Sequence, residues 1–141
     1  MSTLQNLNIS KGRPTVSRLQ EPVMNFEDTA GLARLEAMSA QALDDLVFGV
    51  VRMRADGEVV AYNAVESRMA GLSKERVLAR NFFVDVAPCT NNFMVAERFI
   101  SECELDATLD YVFSLRMKPT PVKLRLLKSA SADHMYMLVK R

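Results

Sequence analysis

The stretch FGVVRMRADGEVVAYN, residues 48–63, decides the fold. Two runs rich in β-branched and aromatic residues, 48–53 and 58–63, flank the tetrapeptide RADG. An Asp-Gly pair between two such runs is a strong signal for a β-hairpin, because glycine readily adopts the positive φ that tight turns need. We therefore predict an antiparallel pair of strands here.

Helical patterns precede the hairpin. Residues 28–38 fit a helix that begins near Asp28, and Ser39 can cap a second short helix ending near residue 46. Residues 1–27 are polar and lack a sustained period, so we expect a flexible or loosely docked arm. The remainder, 28–141, is expected to be one domain, with N-terminal helices at 28–46 and the sheet and helical core at 47–141.

Strand patterns dominate the second half of the chain. A helix is predicted over 93–105, capped by Asn92 and with Cys103 on its apolar face, and strands over 110–117, 122–128 and 134–140. The alternating basic residues of VKLRLLK predict a solvated sheet face. The order of elements predicts an α+β fold with a five-stranded antiparallel sheet and short helices on one side.

Composition excludes several function classes. Eighteen basic and seventeen acidic residues give a net charge of +1, and no long block of like charge marks a nucleic-acid or membrane surface. The sequence shows neither a signal-peptide pattern nor an apolar run long enough to span a bilayer. We therefore expect a cytoplasmic protein that binds neither nucleic acid nor membrane.

The cysteines do not form a pattern typical of metal sites or catalysis. Cys89 and Cys103 are not in CxxC spacing, and His134 is the only histidine. Zinc binding, a disulfide and a Cys-His nucleophile are therefore not expected. We predict that the protein is not an enzyme. Nevertheless, NFFVDVAPCTNN, residues 81–92, places a thiol behind a proline in an apolar run, which calls for another explanation.

Five pieces of sequence, in this order, resemble the photoactive yellow proteins, bacterial blue-light sensors of the PAS fold. They are LDDLVFGVV, DGEVVAYNAVE, NFFVDVAPCT, YVFSLRMKPTPVK and the terminal VKR. The resemblance spans residues 43–141 and implies a PAS-like fold with an N-terminal helical extension. The motif NFF.DVAPCT is its most specific part.

The resemblance also implies a cofactor and the residues that hold it. Cys89 matches the cysteine that carries p-coumaric acid through a thioester, although recombinant protein can lack this group. Tyr62 and Glu66 match the residues that bind the phenolate oxygen, while Phe113 and Met117 match residues near the chromophore. A buried Glu66 beside a phenolate should be protonated so that it can donate a hydrogen bond.

Two positions depart from the family pattern. Ala70 stands where the family has a threonine bonded to the tyrosine, and Leu72 where it has an arginine that covers the chromophore. Both changes remove polar support from the pocket. An alternative function therefore stays open, that of a non-photoactive PAS domain used for protein interaction, dimerisation or sensing of another small ligand.

Signal transduction without substrate turnover is the expected output. Light would isomerise the chromophore, Glu66 would lose its proton, and the buried charge would loosen local packing. A downstream protein would then read the altered surface. That partner is unknown from sequence, and the N-terminal helices offer a surface for a homodimer.

Overall fold

The computed structural model describes residues 24–114 and 118–141. Within these ranges, short helices and turns cover both faces of a five-stranded sheet. The helical elements are α1 (Gly31–Glu36), α2 (Ala40–Leu43), α3 (Ala64–Ala70), α4 (Lys74–Val77), a π-helical turn (Phe82–Val86), a 3-10 turn (Pro88–Thr90) and α5 (Ala96–Ser101). The strands are β1 (Gly49–Met53), β2 (Val59–Tyr62), β3 (Leu105–Phe113), β4 (Thr120–Lys128) and β5 (Met135–Lys140).

The strands are antiparallel and follow the order β2-β1-β5-β4-β3, which confirms the predicted fold class. The hairpin is also as predicted, with Val51 opposite Tyr62. In its turn, the Arg54 amide donates to the Glu58 carbonyl at 2.9 Å, and Gly57 has a φ of +92°. Glycine suits this backbone conformation because it has no Cβ to clash.

The sheet separates two hydrophobic cores. On one face the main core includes Met135, Met137 and Val139 of β5, covered by residues of α4, α5 and the two tight turns. On the opposite face, Tyr136 and Leu138 of the same strand join the N-terminal core with residues of α1 and α2. All five of these β5 side chains are at most 3% exposed, so this strand is buried on both faces.

Two buried arginines hold the N-terminal segment against the sheet. Arg52 donates at 2.7 Å to the carbonyls of Leu35 and Met38, and Arg125 donates at 2.8 Å to that of Phe26. Arg125 also pairs with Asp106 through two bonds of 2.9 Å. The prediction of a solvated face for VKLRLLK was therefore wrong at Arg125, because the N-terminal segment covers this face.

The connection from α5 to β3 differs from the sequence prediction. Helix α5 ends at Ser101, Glu102 is extended, and β3 already begins at Leu105. Cys103 therefore lies beyond the helix and is exposed, so its predicted core position was wrong. Phe93, expected on the apolar helix face, precedes α5 and is 78% exposed.

The predicted arm, residues 1–27, lies mostly outside the described residues. Of its last four residues, Met24 and Phe26 are buried in the N-terminal core. The ring of Phe26 meets that of Phe48 edge-on, with centroids 5.6 Å apart. This end of the predicted arm is therefore packed against the domain.

Within residues 24–114 and 118–141, none of the helices combines the length and apolar character needed to span a membrane.

Candidate functional site

Asn63 fixes the start of helix α3 and thereby the position of Glu66. Its side-chain oxygen accepts from the amides of Glu66 and Val50, at 3.0 and 2.9 Å. Its side-chain amide donates at 2.9 Å to the carbonyls of Leu43 and Phe48. One buried asparagine thus caps the helix and ties it to β1 and to the end of α2.

Glu66 is a buried carboxyl group that depends on a neighbouring glycine. Its residue is 1% exposed and lies on the inner face of α3. A Cβ placed on Gly49 would lie 2.1 Å from Glu66 Oε1, which is far inside contact distance. The absent side chain at position 49 therefore provides the space for this carboxylate.

Arg141 is the hydrogen-bonding partner of Glu66. Its guanidinium donates to Glu66 Oε1 at 2.7 Å and to Oε2 at 3.3 Å, and both side chains are shielded, at 13% and 2% exposed. The same guanidinium lies 5.8 Å from the ring centroid of Phe113, within the range of a cation–π contact. Forked pairing of this kind is typical of arginine with a carboxylate.

Two opposing effects act on the acidity of Glu66. Burial raises the pKa of the Glu66 carboxyl, because the charged form loses its hydration. The hydrogen bond and the positive charge of Arg141 oppose that rise. The pKa remains above its ordinary value, so desolvation is the larger effect and Glu66 is poised to bind a proton.

Tyr62 brings a second polar group to this region, at the end of β2. The residue is 2% exposed, and its buried hydroxyl finds no hydrogen-bond partner among the residues that the structure describes. Burial raises the pKa of Tyr62, and the nearby negative charge of Glu66 adds to this effect. The phenol is therefore neutral and retains its proton as an unused donor.

The two departures from the family pattern lie beside these groups. Ala70, 3% exposed, ends α3 and offers no hydroxyl. Leu72 is half-buried, packs against the main core, and its carbonyl accepts from the Ser67 hydroxyl at 2.6 Å. The side chains at positions 70 and 72 are therefore apolar. The positive charge beside Glu66 comes from Arg141, which follows the end of β5.

Tight local turns place Cys89 at the main core. The Asn81 side chain accepts from the amides of Phe83 and Val84 at 3.0 Å and so begins the π-helical turn, and Pro88 begins the 3-10 turn. Cys89 is half-buried and is not in a disulfide. Its side chain packs against the same hydrophobic cluster that contains Tyr62 and Phe113.

Side chains from other elements hold the Cys89 backbone. The Tyr111 hydroxyl donates to the Cys89 carbonyl at 2.6 Å, and the Asn92 amide donates to the same oxygen at 3.1 Å. The Tyr111 ring meets Phe113 nearly perpendicularly, at 6.2 Å between centroids. A continuous series of contacts therefore links the cysteine loop, through two aromatic rings, to Arg141 and Glu66.

A groove of about 520 Å³ opens beside this series of contacts. Tyr111 and Arg141 both contribute to its walls, together with residues of β3, β4 and β5.

Four of the sequence-predicted site residues, Tyr62, Leu72, Cys89 and Phe113, are in or against the main core. Ala70 is buried at the end of α3. The carboxylate of Glu66 pairs with Arg141, and the guanidinium of Arg141 lies over the ring of Phe113, which is in this core. Met117 lies outside the described residues. Sequence reasoning gave no role to Gly49 or Arg141, although both occur in pieces of the family resemblance, FGVV and VKR. Side-chain contacts between elements 75 residues apart could not be seen in the linear pattern.

Two curated relatives are similar to this chain over most of its length. A photoactive yellow protein of Rhodothalassium salexigens is 36% identical over 107 residues, covering 74% of this chain and 86% of the relative. One from Halochromatium salexigens is 39% identical over 110 residues, covering 76% and 88%. The chain belongs to the photoactive yellow protein family. A scan against protein-family profiles found no match.

Solved structures extend this relation. The photoactive yellow protein domain of the sensor histidine kinase Ppr from Rhodospirillum centenum has a TM-score of 0.70 and 34% identity, covering 77% of this chain and 98% of that domain. A PAS domain of an HTR-like protein from Haloarcula marismortui has a TM-score of 0.57 at 16% identity, covering 77% and 94%. The latter shows the shared PAS fold alone.

The residues present fit the chromophore that membership of the photoactive yellow protein family suggests. The buried hydroxyl of Tyr62 lacks a partner within residues 24–114 and 118–141, as a group awaiting an acceptor would. Glu66 is a buried carboxyl, and Cys89 is a free thiol at the same core. The described residues contain no cluster of three or more His, Cys, Asp or Glu side chains able to hold a metal ion.

Proposed function

We propose that this chain is a blue-light photoreceptor that carries p-coumaric acid as a thioester on Cys89. The observation that carries the proposal is the hydroxyl of Tyr62, which has no hydrogen-bond partner in the described part of the chain and lies in the same cluster as Cys89. A buried donor without an acceptor costs about 1–3 kcal/mol, and a phenolate oxygen would relieve that cost. Family membership supports the same assignment.

Two hydrogen-bond donors would hold the phenolate end. Tyr62 keeps its proton because burial raises its pKa, so it can donate from the hydroxyl. Glu66 can donate only in its neutral form, which burial favours. Hydrogen bonds to an ionised acceptor are shorter and stronger than neutral ones, so both groups would fix the ring's orientation.

Proton transfer from Glu66 would convert light absorption into a structural change. Isomerisation of the chromophore's double bond under blue light is the chemistry that this cofactor supplies. Glu66 would pass its proton to the phenolate oxygen and become a buried carboxylate. Helix α3 and strand β1 would bear the resulting strain, since Glu66 packs against Gly49. A downstream protein in the cytoplasm would read the change, with no substrate converted.

Acylation of the purified protein tests this function. We would treat it with p-coumaric anhydride and record the intact mass and visible spectrum before and after blue light. Cys89→Ala should lose the mass increase and the visible band. Cys103→Ala is the matched control, since Cys103 is exposed and lies away from the main core. A folded protein that gains no adduct on Cys89, or an adduct without a reversible visible band, would contradict the proposal.

A second candidate function rests on the pairing of Glu66. Because Arg141 already binds both of its oxygens, the carboxyl group is satisfied without a chromophore. This favours a PAS domain that serves protein interaction, dimerisation or sensing of another ligand. The acylation experiment separates the candidates, because a permanent Arg141–Glu66 pair would leave the adduct without a shifted, light-sensitive band.

A further inference from the structure

Glu66 has opposite requirements as the partner of Arg141 and as a donor to a phenolate. In the structure both of its oxygens accept hydrogen bonds from Arg141, which suits an ionised carboxylate. The proposed chromophore site needs Glu66 as a neutral donor. A neutral Glu66 has one hydroxyl oxygen, which would donate to the phenolate while the carbonyl oxygen can still accept. The forked pairing of Arg141 with both oxygens is therefore expected to open when the site is formed.

We propose that Arg141 is an exchangeable counterion: it pairs with Glu66 when no chromophore is attached and is released to the phenolate when Glu66 takes up a proton. The release step rests on the proposed function. The pairing step concerns the chromophore-free protein alone. Arg141 acts here as a positioning residue for charge and takes no part in bond formation at Cys89.

The exchange conserves charge and protons. An incoming phenol gives its proton to the Glu66 carboxylate, so the phenolate oxygen carries the negative charge that Glu66 carried before. The site holds one anion and the Arg141 cation both before and after. No proton from solvent is needed, and the buried cation never lacks an anion, which would be costly at 13% exposure.

The surroundings of Arg141 allow such a movement. Its guanidinium already lies over the Phe113 ring, and its residue lines the open groove beside Tyr111. Arg141 follows directly after β5, so its side chain can shift without breaking a strand pair. Among the described residues, Arg141 is the titratable group that acts with burial on the pKa of Glu66, and the negative charge of Glu66 in turn raises the pKa of Tyr62.

Leu72 gives Arg141 a particular importance in this chain. The side of the pocket formed by Leu72 is apolar, and Ala70 offers no hydrogen bond. Arg141 is the cation that the structure brings to Glu66. Removing it leaves a buried carboxyl group that can avoid the cost of an unpaired charge by binding a proton.

Infrared spectroscopy of the chromophore-free protein tests the inference. The acid C=O stretch of Glu66, assigned by its loss in Glu66→Gln, is followed as a function of pH. In Arg141→Gln the midpoint of this band should move to higher pH by at least about one unit, a tenfold change in the protonation equilibrium. Arg76→Gln, which removes an exposed guanidinium from α4, should leave the midpoint unchanged.

A second measurement does not require Arg141→Gln to fold. Glu66→Gln keeps the shape of the side chain but removes its charge, and the guanidinium NMR signals of Arg141 should lose their protection from solvent exchange in this variant. Glu58→Gln is the control, because Glu58 pairs with Arg54 at the exposed hairpin. Unchanged Arg141 signals in Glu66→Gln, or an unmoved infrared midpoint in folded Arg141→Gln, would overturn the inference.

These measurements use no chromophore, so they distinguish the two proposals. Failure of Cys89 acylation with a positive infrared result would reject the photoreceptor and retain Arg141 as the counterion of Glu66. For the release step, the acid band of Glu66 should appear at neutral pH when p-coumaric acid is attached to the wild-type protein. An adduct in which Arg141 remains protected and Glu66 ionised would overturn that step.

Discussion

Gly49 shapes the pocket by leaving space for a carboxylate. Since the glycine lies in β1 beside helix α3, any side chain at this position enters the volume of Glu66. The requirement is steric and does not depend on a positive φ.

Replacement of Gly49 by alanine should therefore displace the Glu66 carboxylate and weaken its pair with Arg141. We expect a loss of roughly 1–3 kcal/mol in the free energy of unfolding, as for other overpacked cores. Gly31→Ala is the matched control. At Gly31 the nearest atom to an added Cβ is the end of the Arg125 side chain, at 3.1 Å, and alanine also favours the helix. Urea unfolding would measure the free energy of unfolding of both variants. Equal values for Gly49→Ala and Gly31→Ala would contradict the steric role of Gly49.

Tyr62 offers a second prediction for the chromophore-free protein. Tyr62→Phe removes a hydroxyl that has no hydrogen-bond partner among the residues described, so stability should stay the same or rise by about 1 kcal/mol. The hydroxyl of Tyr136, in contrast, accepts from Arg52 at 2.7 Å and donates to Glu36 at 2.6 Å. Tyr136→Phe should lose about 1–3 kcal/mol, since both partners are charged. Thermal unfolding would measure both variants, and a larger loss for Tyr62→Phe would contradict the prediction.

Sequence could identify the pocket's functional groups but not all their partners. Cys89, Tyr62 and Glu66 were recognised from motifs, and the structure brings the cysteine and tyrosine to one core, with Glu66 linked to it by Arg141. The partner of Glu66 was missed because the pairing depends on where the end of β5 lies relative to α3. No short-range pattern encodes that relation.

Helix α1 is held to the sheet by a polar network around Glu36. Its carboxylate accepts from the Tyr136 hydroxyl at 2.6 Å and from the Asp133 amide at 2.9 Å, and His134 Nδ1 lies 2.8 Å away. Burial alone would raise the pKa of Glu36, but these hydrogen bonds and the His134 charge outweigh it and lower the pKa. The network thus contributes stability only while Glu36 is ionised.

The stability difference between the wild type and Glu36→Gln should depend on pH. At pH 7 the wild type should be more stable by roughly 1–2 kcal/mol, since hydrogen bonds to a charged group are lost. Because the folded pKa is lower than the unfolded value of about 4.5, this contribution is present above that pH and disappears as pH falls through the folded pKa. Urea unfolding at pH 7 and pH 3 measures it, and a constant difference would refute the explanation.

At the level of elements, local signals predicted the hairpin and the strands better than the helix boundaries. The Asp-Gly turn fixed β1 and β2, and Ser39 caps α2 as expected by accepting from the Ala42 amide. The burial of Arg125 was not predictable from VKLRLLK, because it depends on a segment nearly a hundred residues earlier in the chain.

Strand β5 couples the two cores into one cooperative unit. Its alternate side chains belong to the main core and the N-terminal core, so neither core can lose its packing without affecting the strand. Leu35→Ala, in the N-terminal core, and Leu124→Ala, in the main core, should each cost about 2–5 kcal/mol. Far- and near-ultraviolet circular dichroism should report one coincident unfolding transition for each variant. Separate transitions would show that the cores unfold independently.

The Arg141–Glu66 contact spans 75 residues, and because Arg141 follows β5, we expect it to form only after β5 has paired with β1. Pairing over such a separation is slow, because the chain must close a long loop first. Until then Glu66 is an ordinary solvated carboxylate, with neither the burial that raises its pKa nor the cation that opposes this. The proton affinity of this one side chain is therefore a property of the folded topology. Following the protonation of Glu66 during refolding would report when β5 pairs with β1.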